Sequence, residues 1–360
     1  MKAADGMGSA EGKQATGSGR PTSRDVARLA GVSHTAVSFV FNGRAEGNLS
    51  PATQERIRQA AVQLGYRPDP VARGLRRSRT AVIGLVTDEI ASSPFAGRLL
   101  RGAMDTAWAD GHLVLTVDSG GDPAKEDAAV AELLDRRVDG IIYAAMSLRR
   151  VRVPEGLHRT HSVLANCLPE DDSLPAVIPA ERAGGRTAAR LLLEQGHRRV
   201  ALVGGHGDIA SAERLRGFRD ALRAEGITVP RDWVVRTGGE ISGGHEGAVR
   251  LFDGTPAERR PTGVFAYNDR VAAGVLHAAT RLGISVPGDL SVVGYDDQEH
   301  MAAYLTPPLT TVALPHREMG EAATRLLLDA IATGRTPPAT VRRLGCPVIS
   351  RASVGPAPIR

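Results

Sequence analysis

Cysteine is nearly missing from this chain: Cys167 and Cys346 stand alone among 360 residues, far apart and without metal-ligand spacing. That leaves no basis for a disulfide framework or a thiolate metal site, and points to two free thiols in a reducing cytoplasm. Long apolar runs are missing as well. None approaches the ~20 residues that cross a bilayer. Residues 1–20, rich in Gly, Ser and Ala, hold no apolar core for a signal peptide and read as a disordered tail. The ten histidines are scattered without ligand spacing. There is no P-loop, no pair of carboxylates and no nucleophile beside a base. Gly204-Gly205-His206-Gly207 follows an apolar run, but its spacing is not the dinucleotide fingerprint. The sequence therefore argues against an enzyme and requires no cofactor or metal. A secreted solute-binding protein would need the leader that is not seen.

What is present is an uneven charge. Residues 1–80 hold thirteen Lys and Arg against six Asp and Glu, a surplus of seven. The whole chain carries only +5, so the remaining 280 residues carry a deficit of two. A basic head on a near-neutral body is the footprint of a module that binds a polyanion. No amphipathic apolar face accompanies the charge, as a membrane surface would require.

The head is organised around TSRDVARLAGVSHTAVSFVFN, residues 22–42. Thr22 and Asp25 form a capping-box pattern for a first helix. Gly31 suits a tight left-handed elbow, and Ser33 caps a second helix. Val37, Val40 and Phe41 recur at helical spacing and face inward, leaving His34, Thr35, Ser38 and Phe39 outward. Such a polar outward face on a second helix suits the DNA major groove. The alternative is a small solvated hairpin. Ser50-Pro51 opens a third helix with Ile57, Ala61 and Leu64 inside, and Gly65 stops it. Arg56 and Arg58 either touch phosphates or are simply solvated. In Val71–Arg79, Leu75 sits among arginines, as a minor-groove wedge would; it could equally pack on the neighbouring domain.

From Ala81 onward strands alternate with helices, which implies parallel sheets covered on both faces. Strands are expected at 81–87, 112–118, 138–145 and near 162–166, with helices at about 95–110 and 124–136. The pattern then restarts with helices at 183–195, 212–225, 243–252 and 269–282, and strands at 199–205, 232–236, 262–268 and 290–297. Two doubly wound units in series leave the cleft at their strand carboxyl ends as the small-molecule site.

Taken together, DVARLAGVSHTAVS, LGYRPDPVARGL, RRVDGIIY, LLLEQGHRRVALVGG, SAERLRGF, FAYNDRVAAG, ISVPGDLSVVGYDD and TPPLTTV resemble the lactose-repressor (LacI/GalR) family of bacterial transcription regulators, over residues 22 to about 354. The resemblance implies a small all-α helix-turn-helix head plus two α/β doubly wound parallel-sheet subdomains of periplasmic-binding-protein-like type. The expected domains are 1–20 tail, 21–67 head, 68–80 hinge and 81–354 effector-binding and dimerisation body. Within the body, the N-subdomain is expected at about 81–180 and 312–335, and the C-subdomain at about 181–310 and 338–354. The implied protein is a cytoplasmic homodimeric repressor. It would bind a palindromic double-stranded DNA operator under control of a sugar-like effector. The alternative is a DNA-binding regulator that needs no effector.

By the same resemblance, His34, Thr35 and Phe39 would read base edges, while Ser33, Ser38 and Asn42 would contact phosphates. Thr22, Ala72, Arg73 and Leu75 complete the implied DNA-binding set. Phe39 departs from the family's frequent arginine and offers only apolar contact. The implied effector residues are Phe95, Arg214, Asn268 and Asp296, with Phe265 as a second apolar wall. A guanidinium opposite a carboxylate suits bidentate recognition of vicinal hydroxyls, although Arg214 and Asp296 could form a structural ion pair instead. Asn268-Asp269 could likewise serve as a strand-end turn, with Asp269 the helix N-cap. Pro179-Ala180 replaces the family's usual Asp-Asn, which puts the effector class in question. Trp108 and Trp233 fall outside the implied cleft, so strong sugar stacking is not evident.

Overall fold

Three short helices form where the sequence placed their caps. The structure, a computed structural model, describes residues 21–66, 79–89, 96–205 and 207–359. The chain divides into two compact units, the first ending at Thr80 and the second starting at Ala81. In the first, α1 spans Ser23–Ala30, α2 His34–Phe41 and α3 Pro51–Leu64. Thr22 and Asp25 close a reciprocal capping box, and Gly31 ends α1 at φ 64°. Ser33 and Ser50 cap the next two helices, and Gly65 ends α3 in the same left-handed conformation. Each helix is too short to hold alone in water. They are held by one cluster in which Val26, Val37 and Ile57 are buried, with Phe41 set edge-on to Tyr66.

The second unit holds two lobes, each built on a six-stranded sheet. The first sheet contains β1 (Val82–Thr87), β2 (Leu113–Asp118), β3 (Gly140–Val151), β4 (Ser162–Pro169), β5 (Ala176–Pro179) and β11 (Val341–Leu344). Its spatial order is β11-β5-β4-β3-β1-β2, parallel throughout. The second contains β6 (Val200–Val203), β7 (Val234–Val235), β8 (Gly263–Ala266), β9 (Ser291–Asp296), β10 (Thr310–Ala313) and β12 (Val348–Ile349). Its order is β12-β10-β9-β8-β6-β7, parallel except for β12. Helices α4 (Ala96–Ala109), α5 (Pro123–Asp135) and α10 (His316–Thr333) cover the first sheet. The second is covered by α6 (Glu181–Glu194), α7 (Ile209–Ala224), α8 (Ile241–Phe252) and α9 (Asp269–Arg281). The central strands are buried on both faces, which is why they read as continuous apolar runs.

The lobes are joined by three crossings of one to three residues: at Ala180, at Leu314-Pro315 and at 345–347. Here the expected boundaries need correction. β10 belongs wholly to the second sheet, although its last two residues fall in the stretch assigned to the N-subdomain. β11, assigned to the C-subdomain, pairs with β5 of the first sheet. The reason is tertiary: Val341–Leu344 finds the open edge of β5, and the chain returns only afterwards to place β12 against β10. Two of the crossings are bonded to strand ends: Ala180 N–H donates to Leu344 O, at the end of β11, at 2.8 Å, and Ala313 N–H, at the end of β10, donates to Pro347 O at 2.7 Å.

Candidate DNA-binding and ligand-binding sites

In the head, the capped α2 presents His34 and Thr35 as exposed groups and Ser38 and Phe39 as half-buried ones. His34 Nε2 lies 2.9 Å from Ser23 Oγ, which ties the start of α2 to α1. Asn42 donates to Ser38 O at 2.7 Å and to Ser38 Oγ at 2.9 Å, so both polar side chains are fixed at the end of the helix. Thr22 and Ser33 serve as N-caps; their exposed positions leave them at helix N-termini, which favour phosphate oxygens. The bonds from Thr22 hold the Asp25 carboxyl below the usual carboxylate range. Ala72, Arg73 and Leu75 of the expected hinge, and Phe95 of the expected effector site, lie outside the described residues.

In the body, the lobes meet at the carboxyl ends of their strands. Ile209 and Ala210, at the start of α7, pack into the first lobe's cluster with Tyr143 and Leu148. Arg98 on α4 reaches Asp297 at 3.9 Å and Glu299 at 3.5 Å, beyond β9 of the second lobe. Asp297 is also held by Arg351 at 2.7 Å. The chain after β9 turns sharply, with Asp296 at φ 108° and Asp297 at φ 52°. Side-chain-bearing residues rarely adopt this conformation, and its cost is repaid only where surrounding contacts enforce it.

Arg214 stands at the centre of this end of the second lobe. Its Nε and Nη2 donate to the two carboxylate oxygens of Glu181, at 2.7 and 2.9 Å. Nη1 donates to Tyr267 O at 2.8 Å, and Nη2 lies 3.6 Å from Asp296 Oδ1. The rings of Tyr295 and Tyr267 have their centres 3.7 and 4.8 Å from the guanidinium carbon. Arg214 and Glu181 are each only 4% exposed. Burial alone would pull the guanidinium down, but Glu181 and Asp296 hold it well above its ordinary value. The Asp296 carboxyl is pushed well above the usual range by burial, against the pull of Arg214.

This geometry alters the expected site. Arg214 and Asp296 do come together, but the bidentate partner of Arg214 is Glu181, which the sequence reading did not single out. Asn268 is buried, with Oδ1 accepting from Val271 N–H and Nδ2 donating to Gly239 O. It caps α9, so the N-cap is Asn268 and not Asp269. Asp269 instead accepts from Thr311 Oγ1 at 2.6 Å and Gln298 N–H at 2.7 Å. Burial pushes its carboxyl up to about 6. Phe265 is fully buried in a row with Phe218 and Tyr295. It is a core residue that also borders a cavity of about 120 Å3 shared with Gly204, Ser211, Arg214, Arg236 and Tyr267. That space is well below the ~300–1,000 Å3 of a typical ligand pocket.

The signal for Glu181 was close at hand, because it directly follows Pro179-Ala180. What the sequence does not show is the approach of α6 to α7. A Cβ on Gly217 would lie 1.9 Å from Arg182 O, so the helices pack backbone to backbone and the first turn of α6 is brought beside the middle of α7.

Residues 22–69 match the family profile of bacterial regulatory proteins of the lacI family, and residues 189–354 that of a periplasmic binding protein-like domain. The HTH-type transcriptional repressor PurR of Vibrio parahaemolyticus is 35% identical over 316 residues, covering 86% of this chain and 92% of that protein. The chain belongs to the LacI family. As a member it is a DNA-binding transcriptional repressor, with the family's helix-turn-helix head and two parallel-sheet α/β subdomains. Among solved structures it is similar to the lac repressor dimer bound to operator and the anti-inducer ONPF, at 25% identity and a TM-score of 0.76. That match covers 94% of this chain and 100% of that one. It is also similar to the transcriptional regulator CelR in complex with cellobiose, at 30% identity and a TM-score of 0.64, covering 93% and 100%. Among the described residues no helix is long and apolar enough to cross a membrane.

Proposed function

We propose that this LacI-family protein represses transcription as a homodimer whose two heads bind a palindromic operator, under control of a sugar or sugar derivative bound between the lobes. The observation that carries the reading is the meeting of the lobes at their strand carboxyl ends, around a buried set of polar groups. An effector entering there changes the angle between the lobes and hence the spacing of the two heads. Coupling of this kind is typically about 1–3 kcal/mol. His34, Thr35 and Phe39 read bases. Thr22, Ser33, Ser38 and Asn42 contact the backbone, and Ala72, Arg73 and Leu75 contact the minor groove. The CelR complex with cellobiose supports the choice of a carbohydrate.

A second copy has a surface to meet. Met104 and Trp108, one turn apart on α4, are 40% and 73% exposed, and Leu113 and Leu115 on the edge strand β2 are 56% and 41% exposed. An apolar group of this kind around an open strand edge marks an association surface.

The test is footprinting of the full-length protein on its own genome, followed by titration of operator affinity with salt and with candidate sugars. Affinity falls steeply with salt if several phosphates are neutralised; a flat response rejects the reading of the head. Leu75→Ala lowers specific binding more than non-specific binding, and equal losses reject the wedge. A second reading, a regulator without an effector, is favoured by the engagement of Arg214 with Glu181. A thermal-shift panel in which no sugar changes either melting or operator affinity would select it.

A further inference from the structure

We propose that Glu181 is a specificity determinant of the inter-lobe site: it satisfies Arg214 from within the protein, so that the site accepts an uncharged hydroxyl-bearing ligand and rejects one with a carboxylate or phosphate there. The inference rests on the effector reading above and refines it. A bare guanidinium at the end of a sheet is the strongest anion receptor that side chains provide, since its fork matches a carboxylate or phosphate with two parallel bonds. Here that fork is filled. Both fork nitrogens, Nε and Nη2, go to Glu181, and Nη1 is engaged with Tyr267 O. The tyrosine rings of positions 267 and 295 lie against the guanidinium and Nη2 faces Asp296 at 3.6 Å, so an incoming anion finds the fork occupied and only the edge at the small cavity open.

The surrounding charge acts in the same direction. Asp208, the N-cap of α7, accepts from Tyr267 Oη at 3.0 Å and stays below the usual range because Ser211 and Tyr267 outweigh its burial, so it keeps its negative charge near Arg214. The other arginines here are already matched: Arg98 with Asp297 and Glu299, Arg351 with Asp297, Arg270 with Glu240 and Arg149 with Asp88. Arg236, at the outer end of β7, is exposed and borders the small cavity; it is the alternative place for an anion.

The experiment uses full-length protein as wild type, Glu181→Ala, Glu181→Gln and Glu181→Asp, with circular dichroism to establish folding. Melting temperature and titration calorimetry are followed with formate and acetate, with chloride as the ionic-strength control. The same readouts are then taken with matched sugars: glucose and glucuronate, galactose and galacturonate, ribose and ribose 5-phosphate. Formate raises the melting temperature of Glu181→Ala and leaves wild type and Glu181→Asp unchanged. In wild type the neutral member of a pair binds better. In Glu181→Ala or Glu181→Gln the charged member gains about tenfold, as one charge-assisted contact provides.

Wild type that binds the charged member as well as the neutral one overturns the proposal, and so does a folded Glu181→Ala that gains no anion. A charged ligand whose binding to wild type is lost in Arg236→Ala also overturns it. Should formate rescue Glu181→Ala while no sugar of either charge binds wild type, the effector reading falls and the blockade of Arg214 stands. Should neutral sugars bind wild type and variants alike with no anion gained, the effector reading stands and the role of Glu181 falls.

Discussion

Gly185 on α6 faces the main-chain carbonyl of Arg214 on α7 so closely that a Cβ at that glycine would lie 2.1 Å from the oxygen. This approach, matched by Gly217 against Arg182 O, sets the buried pair of Glu181 and Arg214 in place. The partner is backbone and cannot swing aside, so the helices themselves must separate to admit a methyl group.

Gly185→Ala is therefore expected to lower stability by about 1–3 kcal/mol, the usual cost of overpacking a core. Denaturant melts measure it. Gly97→Ala, at a glycine with no neighbour within 4 Å of an added Cβ, serves as the control. A loss at Gly185 no larger than the control would contradict the close-packing argument.

Replacing Phe39 by arginine is expected to change the operator rather than merely strengthen binding. Arginine forms a bidentate contact with guanine, whereas phenylalanine offers only an apolar edge to a thymine methyl. Selection from random DNA with wild type and Phe39→Arg should yield sites that differ at one position in each half. Identical preferred sites would remove Phe39 from the base-reading set.

Trp108→Glu combined with Leu113→Lys is expected to yield monomers while leaving the fold intact, since both side chains are more than half exposed. Analytical ultracentrifugation reads the mass, and operator binding should weaken with it. A variant that sediments as wild type would place the association surface elsewhere.

His316 opens α10 and is buried; burial, with Arg98 and Arg214 nearby, lowers its pKa to about 4, from the ~6.5 of a free histidine. A histidine kept neutral in the fold contributes stability above its unfolded pKa, and that contribution is lost as pH falls through 6.5 toward 4. The full span is about 3 kcal/mol. His316→Gln should flatten this part of the pH–stability curve, measured by denaturant melts between pH 7 and pH 4.5. An unchanged slope would show that other groups set the acid sensitivity.

The sequence was most legible where structure is local. Thr22, Ser33 and Ser50 act on backbone groups three residues away, so their patterns give the start of each helix directly. The central strands were legible because burial on both faces leaves an uninterrupted apolar run. β5 was not, because Ala176–Pro179 is four residues long and lies between prolines. The sheet chosen by Val341–Leu344 depends on an edge formed more than 160 residues earlier. The family motifs pointed to Arg214 and Asp296. The partner that engages Arg214 comes from another helix, 33 residues away in sequence, and no spacing rule links them. Asn268 was legible as a polar strand end, but whether its amide faced a ligand or the backbone depended on the neighbouring Gly239 loop.

The two lobes share three short straps, and two of them are bonded to strand ends, Ala180 to Leu344 and Pro347 to Ala313. Each of these bonds continues the edge of one lobe's own sheet, so both can persist while the lobes move about the straps. Three short straps restrict that movement more than a single one would, as several hinges do for a door. For the effector proposed above, that movement about the straps is the one it would act on.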